Sequence, residues 1–436
     1  MDQRVLPRVL VVDVNAWRED AASNTLMEIF RCWDPEKLAL VYTSSELPNT
    51  TVCQKYFQIG ENQVLKSVFK PWQKVGIRVK NTLTHDDADA QAERLLRARA
   101  HKTRSKWMRL AREFVWKLGH WRSSSLLSFI NDFQPDVLFI PIFPYAYMGR
   151  IQKWIIRKTH KPIVCYLADD NYSYDSCQSF YDYVLRTWNR KYVRSLATMS
   201  SQMFVIVDKE KEDTDERFGT NSVILTKSID FTNLCYHEKK LGDPISFVYT
   251  GSLLIGRAGT ICEVADAINE LNAEYGETKA KLFVYSQTDL TEDVLSHINV
   301  GASCFCGNVS HQEIQPILED ADVVVFAEAL HGKEANVANL SFSTKITDYL
   351  ANGKCILAIG KEDIAPIDYF RRNNAALLAY SEVGIKQRIR EIINDSAIIN
   401  KYGRNAFSCA LRNHEKKAMN ERFISTMCKA SNPDAL

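Results

Sequence analysis

Short runs of aliphatic and β-branched residues recur along the chain, each followed by a longer stretch with apolar positions every three or four residues. Val9–Val12, Leu38–Tyr42, Val137–Pro141, Ile163–Leu167 and Phe204–Val207 have the continuous apolar character of buried strands. Phe247–Tyr249, Lys281–Tyr285, Val323–Phe326 and Cys355–Ile359 repeat the pattern in the second half. Strands alternating with amphipathic helices predict βαβ units and parallel sheets, so the fold class is α/β. The stretch from Asp230 to Pro244 is polar and turn-rich and falls between the two series. The expected organisation is one α/β domain over 1–232, a linker over 233–245 and a second α/β domain over 246–415. A closing helix over 416–436 can return to the first domain. In two such open sheets, ligands are expected in the strand-to-helix loops at the carboxyl ends of the strands.

Composition narrows the function classes. The 436 residues are 46% hydrophobic and 25% charged, as in an ordinary globular protein. Lysine and arginine (55) nearly balance the acids (53), which argues against a general nucleic-acid binder. The eleven cysteines form no CxxC pair or Cys/His ladder, so a disulfide framework or structural zinc is not expected and a reducing, cytoplasmic setting is. No uncharged run approaches the ~20 residues of a membrane span, so any membrane contact is expected to be peripheral. One segment breaks the charge balance. Residues 93–122 carry +8 against −6 for the rest of the chain. There Trp107, Leu110, Ala111, Phe114, Leu118 and Trp121 follow helical spacing, with Lys106, Arg109 and Arg112 opposite. Two readings fit: a basic amphipathic helix on an anionic membrane surface, or an apolar stripe packed on its own domain.

Two loops could hold an anion. Thr250-Gly251-Ser252-Leu253-Leu254-Ile255-Gly256-Arg257 lies between an apolar strand and a helix marked by Ile261, Val264, Ala265, Ile268 and Leu271. Glycines permit close backbone approach, a helix N-terminus supplies free N–H groups, and Arg257 adds a phosphate-binding cation. Arg257 and Ala258 stand where a P-loop needs Lys and Ser/Thr, so an NTPase is disfavoured. The second loop follows the strand that runs up to Glu328 and ends in Ser341-Phe342-Ser343-Thr344-Lys345. Ser343 and Thr344 can cap a helix starting near Thr344, and Lys345 in its first turn opposes the helix dipole unless an anion binds there. Asp348 lies one turn further along.

These residues carry a resemblance. "YTGSLLIGRAG" with "SFSTKITDYLANGKCILAIG" resembles the C-terminal half of GT-B nucleotide-sugar glycosyltransferases of bacterial capsule, O-antigen and exopolysaccharide clusters, of the family-four-like kind. Ser341-Phe342-Ser343 overlies the family's Gly-Phe-Gly, and Asp348 its second glutamate, which implies a ribose-hydroxyl ligand. Leu340 replaces the first glutamate and Cys262 a second basic residue, leaving donor sugar and stereochemistry open. "VLVVDVNAWREDAASNTLMEIF" resembles the first strand and helix, which implies an acceptor loop with Asn15, Ser23 and Asn24. "PIVCYLADDNYSYD" resembles the strand and loop placing Asp169 and Asp170, and "RFGTNSVILTKSIDF" the entry to the linker. The resemblance implies a two-domain GT-B fold, the domains facing across a cleft. It also implies transfer of a sugar from a nucleotide diphosphate sugar to a glycan or lipid-linked acceptor. Gly251, Ser252, Arg257, Glu328, Ser343, Thr344, Lys345 and Asp348 form the expected donor site. A nucleotide-sugar 2-epimerase and a catalytically silent scaffold are the alternatives.

The acids admit two readings. Asp169 and Asp170 can meet an acceptor hydroxyl as a general base or cap the following segment. D-x-D pairs occur at Asp87/Asp89, Asp213/Asp215 and Asp320/Asp322, and His85-Asp86-Asp87-Asp89 groups potential cation ligands, but solvated or structural acids are the simpler expectation. No cofactor or metal is expected, because fixed cations and helix N-termini can stabilise a leaving diphosphate.

Overall fold

A computed structural model describes residues 6–20, 25–81 and 106–432. The first sheet contains β1 (Val9–Val12), β2 (Leu38–Tyr42), β3 (Lys55–Gln58), β4 (Ile77–Val79), β5 (Val137–Pro141), β6 (Ile163–Leu167), β7 (Gln202–Val205) and β8 (Val223–Ile224). Their order is β4-β3-β2-β1-β5-β6-β7-β8, parallel throughout except for the β3/β4 pair. The second sheet contains β9 (Ile245–Thr250), β10 (Ala280–Tyr285), β11 (Ser303–Gly307), β12 (Val323–Ala327), β13 (Cys355–Ile359) and β14 (Leu377–Ala379). It runs β11-β10-β9-β12-β13-β14 and is wholly parallel. Strands β3, β4, β8, β11 and β14 were not anticipated. They sit at or next to sheet edges, and most are short or partly exposed, so their sequences lack a full apolar run.

Both sheets carry helices on both faces. Strand side chains alternate, so Val9 and Val11 join one core while Leu10 and Val12 join the other. Phe247 and Val323 pack on Ile261 and Ile268, and Val248 and Val324 face Ile346 and Leu350. In each sheet the strand order reverses beside the first strand, between β1 and β5 and between β9 and β12. Neighbouring loops leave to opposite sides there and open a crevice at the carboxyl ends.

The backbone crosses between sheets twice, side by side. Ile229 N–H donates to His414 O at 2.7 Å, and Lys416 N–H donates to Ile229 O at 2.9 Å. His414 is buried, and burial pushes its imidazole down to about 4. The neutral ring donates from Nδ1 to Lys227 O (3.0 Å) and accepts at Nε2 from the Tyr369 hydroxyl (2.8 Å). The Lys416–Ser431 helix then packs Met419, Phe423 and Met427 on the outer face of the first sheet. Asp322 fastens the linker to β9 by accepting from Ser246 N (2.9 Å) and Oγ (2.8 Å) and pairing with Lys239 (3.1 Å).

Residues 106–122 of the basic segment divide between the two readings. The Lys106–Leu118 helix turns Trp116, not the predicted stripe, fully into the core, stacked on Tyr147. Trp121 is buried as well, whereas Phe114, edge-on to Trp188, stays 46% exposed and Leu118 stays exposed too. Arg109 pairs with Asp182 (3.3 Å) and Arg112 with Glu61 (3.1 Å). Glu113, one turn before Trp116, is buried against Arg150 of another helix at 3.0 Å, a tertiary pair that holds this face inward. The cluster at 85–89 lies outside the described residues.

Phe423 packs edge-on against Phe30 and Phe139, at 5.0 and 6.1 Å between ring centroids. Phe423→Ala should therefore cost about 3–5 kcal/mol in a denaturant titration. A cost below ~1 kcal/mol would mean the closing helix does not stabilise the first domain.

Candidate functional site

The two switch points give two neighbouring cavities. One, of about 160 Å³, lies at the β9/β12 crevice and is lined by Thr250, Ser252, Arg257, Glu328, Ser343 and Lys345, among others. Gly256, at φ 74° with Ala329 and Glu334 against the space a Cβ would fill, begins the Arg257–Tyr275 helix. Arg257 spans the crevice and grips Glu328 with both arms, Nε to Oε2 at 2.9 Å and NH2 to Oε1 at 3.0 Å. Glu328 is buried; burial pushes its carboxyl up, while Arg257 and then Lys345 oppose the shift. Lys345 donates from Nζ to Thr250 O at 3.0 Å, under Gly251, where a side chain would strike the ammonium. Burial, then repulsion from Arg257, lowers its affinity for a proton, with Asp348 and Glu328 acting in the other direction. Arg257, Glu328 and Lys345 thus leave one net positive charge on the cavity wall.

The second cavity, about 410 Å³, lies at the β1/β5 crevice and reaches across to the other domain. Its walls include Asp13, Asn15, Pro141, Phe143 and Asp169 from the first domain and Phe342, Ser343 and Thr344 from the second. Ser343 lines both cavities, so they are contiguous at the N-terminus of the Thr344–Ala351 helix. A further cavity of about 510 Å³ lies apart from both crevices, around Gln202, Thr220 and Lys429.

Two acids face the shared cleft. Asp13 is buried and accepts from Val14 N (2.6 Å), Asn15 N (3.3 Å) and Trp17 Nε1 (3.1 Å). Burial outweighs these donors and pushes its carboxyl up to about 6. Asp169 is exposed at the cleft yet hemmed in by protein, which raises its carboxyl; the Ser341 hydroxyl acts against this and Asp170 adds to it.

The structure thus brings Ser252, Arg257, Glu328, Ser343 and Lys345 together in one cavity and Asn15, Asp169, Ser343 and Thr344 in the adjoining one. It separates two other candidates. Asp170 is buried in its own loop, accepting from Ser173 N at 2.8 Å and facing Arg186, so it holds the loop rather than a substrate. Asp348 does not line the cavity at the β9/β12 crevice; it pairs with Lys227 at 2.5 Å across the domains. The helix does carry Asp348 one turn beyond Thr344, but Lys227, arriving with the first crossing, claims it. Ser23 and Asn24 lie outside the described residues. Asp213 and Asp215 pair with Arg217 and Lys211 on their own helix, and Asp322 anchors the linker, which accounts for these D-x-D acids structurally. Asp13 was missed. Its signal is an acid placed directly after a four-residue apolar strand that proves to be the switch strand.

The coordinates resemble several solved structures. Anabaena HepE in complex with UDP aligns over 96% of this chain and 99% of its own, at 10% identity and a TM-score of 0.62. Sucrose-phosphate synthase from Thermosynechococcus elongatus aligns over 95% and 96%, at 10% identity and 0.57. The chain has the GT-B fold. The α,α-trehalose 6-phosphate synthase of Burkholderia multivorans gives the same result over 98% of each chain, at 10% identity and 0.56. No protein-family model matches the sequence, and no curated protein does. In GT-B terms, the first switch-point crevice belongs to the N-terminal domain and the second to the C-terminal domain.

Arg257 cannot be removed alone without stranding Glu328. Arg257→Ala should destabilise the fold by about 3–5 kcal/mol, and adding Glu328→Gln should recover most of that. Equal stability of the single and double variants, read by chemical denaturation, would refute the coupling.

For Asp13 the sign is opposite to that of an ordinary salt-bridged acid. Its folded value of about 6 exceeds the unfolded value of 3.8, so its contribution is intact below that range and lost as pH rises through about 6. Asp13→Asn removes the charged form but leaves one amide N–H against Trp17, for a net gain of about 1–2 kcal/mol at neutral pH. Its stability should exceed wild type at pH 7, cross it at about pH 5 and fall below it in more acid solution, where the amide mismatch alone remains. A variant less stable than wild type at pH 7 would contradict the desolvation account.

Proposed function

We propose that the protein transfers a sugar from a nucleotide diphosphate sugar to an acceptor hydroxyl. The observation that carries the reading is the contiguity of the two cavities through Ser343, a cationic one in the C-terminal domain and an acidic one in the N-terminal domain. A UDP complex in the similarly folded HepE supports a nucleoside diphosphate as the donor part. Lys345 and the N-termini of the Arg257–Tyr275 and Thr344–Ala351 helices supply positive potential for the diphosphate, with Arg257 held in place by Glu328. Gly251 and Ser252 bring backbone close to it. As the acceptor oxygen attacks the anomeric carbon, the bond to the diphosphate breaks and the leaving group keeps the electron pair. Asp169 takes the hydroxyl proton, its raised carboxyl matching it to that role. Asp13 stiffens the loop that carries Asn15 against the acceptor. On this reading the positive charge comes from the protein itself, without a metal. On this reading a glycan or lipid-linked acceptor enters the second cavity at a cytoplasmic membrane face; no helix among the described residues is long and apolar enough to cross a membrane.

Calorimetry with UDP and transfer assays with UDP-sugars test this directly. Lys345→Ala should weaken UDP by about 1.5–3 kcal/mol. Asp169→Asn should keep UDP affinity and lower transfer by a factor of roughly 10²–10⁴. Undiminished transfer by Asp169→Asn, or undiminished UDP binding by a folded Lys345→Ala, would overturn the corresponding assignment. One observation favours a second reading: Leu340, overlying a glutamate of the motif this sequence resembles, is buried and apolar. UDP binding with no transfer to any acceptor would support a silent GT-B module, and isomerised nucleotide sugar would support an epimerase.

A further inference from the structure

A surface of the N-terminal domain combines features the cleft does not use. The Glu61–Phe69 helix and the following turn leave Phe69 78% and Trp72 80% exposed, with Leu65 and Ile77 also exposed. Between Asn62 and Asn81 stand Lys66, Lys70, Lys74, Arg78 and Lys80, and no acid. Lys66, Lys70 and Lys74 are exposed and make no ion pair among the described residues. The patch continues onto the next helix. His120 N–H donates to Ser67 Oγ at 2.9 Å, and a Cβ on Gly119 would collide with Val64. These contacts seat Lys117 and the 60% exposed Leu118 beside the Glu61–Phe69 helix.

We propose that this surface docks the protein on an anionic lipid bilayer, with Phe69, Trp72 and Leu118 entering the headgroup region. A protein surface would match aromatic side chains with pockets, whereas here large apolar tips project at separate points between lysines. That pattern suits the amphipathic boundary of a bilayer: rings settle at the interface and lysine stems reach to phosphate. The charge is complementary: the lysines are one sign throughout, and each adds attraction near an anionic leaflet. The patch centres on residues 65–77 and takes only Lys117 and Leu118 from the 93–122 segment, whose Trp121 is buried and whose Arg109 and Arg112 already have acidic partners. It stands whether or not the sugar-transfer reading holds.

The test is co-sedimentation of the full chain with phosphatidylcholine vesicles, with and without phosphatidylglycerol. Binding should require phosphatidylglycerol and weaken as salt rises. Lys66→Glu/Lys70→Glu/Lys74→Glu should lose affinity by roughly a hundredfold or more. Phe69→Ser/Trp72→Ser, both at exposed positions, should lose roughly tenfold at unchanged thermal stability. Arg109→Ala, outside the patch, should bind as wild type does. Absent vesicle binding, equal binding to neutral vesicles, or indifference to both patch variants would overturn the proposal. So would a dimer in sedimentation velocity that Phe69→Ser/Trp72→Ser dissolves, which would assign the patch to a second copy of the chain.

Discussion

The cleft depends on two backbone crossings laid side by side, where Ile229 and Glu415 form an isolated parallel bridge. One hydrogen bond in each direction locks them, and the neutral His414 joins Lys227 O to Tyr369 behind them. This pairing lets two separately cored sheets present their carboxyl ends to each other. Lys227 and Asp348 sit on either side of the same junction. A charged His414 would lose its acceptor role toward the Tyr369 hydroxyl, so burial that keeps the ring neutral also keeps the domains in register.

The cleft concentrates unfavourable electrostatics that the rest of the fold offsets. Asp13 is buried with a raised carboxyl, Lys345 is half-buried beside Arg257, and Glu328 is buried against Arg257. Groups held against their preferred charge state are costly to fold and useful for chemistry, because a proton or an anion relieves them. A diphosphate would relieve Lys345, and an acceptor proton would relieve Asp169. The same logic separates Asp169 from Asp170: neighbours in sequence, one facing the cleft and the other gathered into a loop by Ser173 and Arg186. A side chain's chemistry here is decided by which donors surround it.

Much of the fold was legible because its signals are local and repeated. A buried parallel strand must be apolar along its length, so β1, β2, β5, β6, β12 and β13 announce themselves, as does the Arg257–Tyr275 helix through Ile261, Val264 and Ile268. Edge strands such as β4 and β11 need no such run, and their sequences are mute. The glycine loop before Arg257 and the Ser/Thr cap before Lys345 were readable for a similar reason, since turn and cap chemistry act within a few residues.

The sequence by itself determined two parallel α/β sheets, the loops after β9 and β12, and the residues from which an anion pocket could be built. Each of those follows from short-range rules of periodicity, glycine conformation and capping. Only the tertiary structure decided which charges remain available. Arg257 meets Glu328 over 71 positions. Lys227 takes Asp348 over 121. Trp116, outside the predicted stripe, enters the core one turn along from Glu113, which finds Arg150 on another helix. Coulombic partnership and burial depend on distance through space, and sequence spacing carries no record of that distance until the chain has folded.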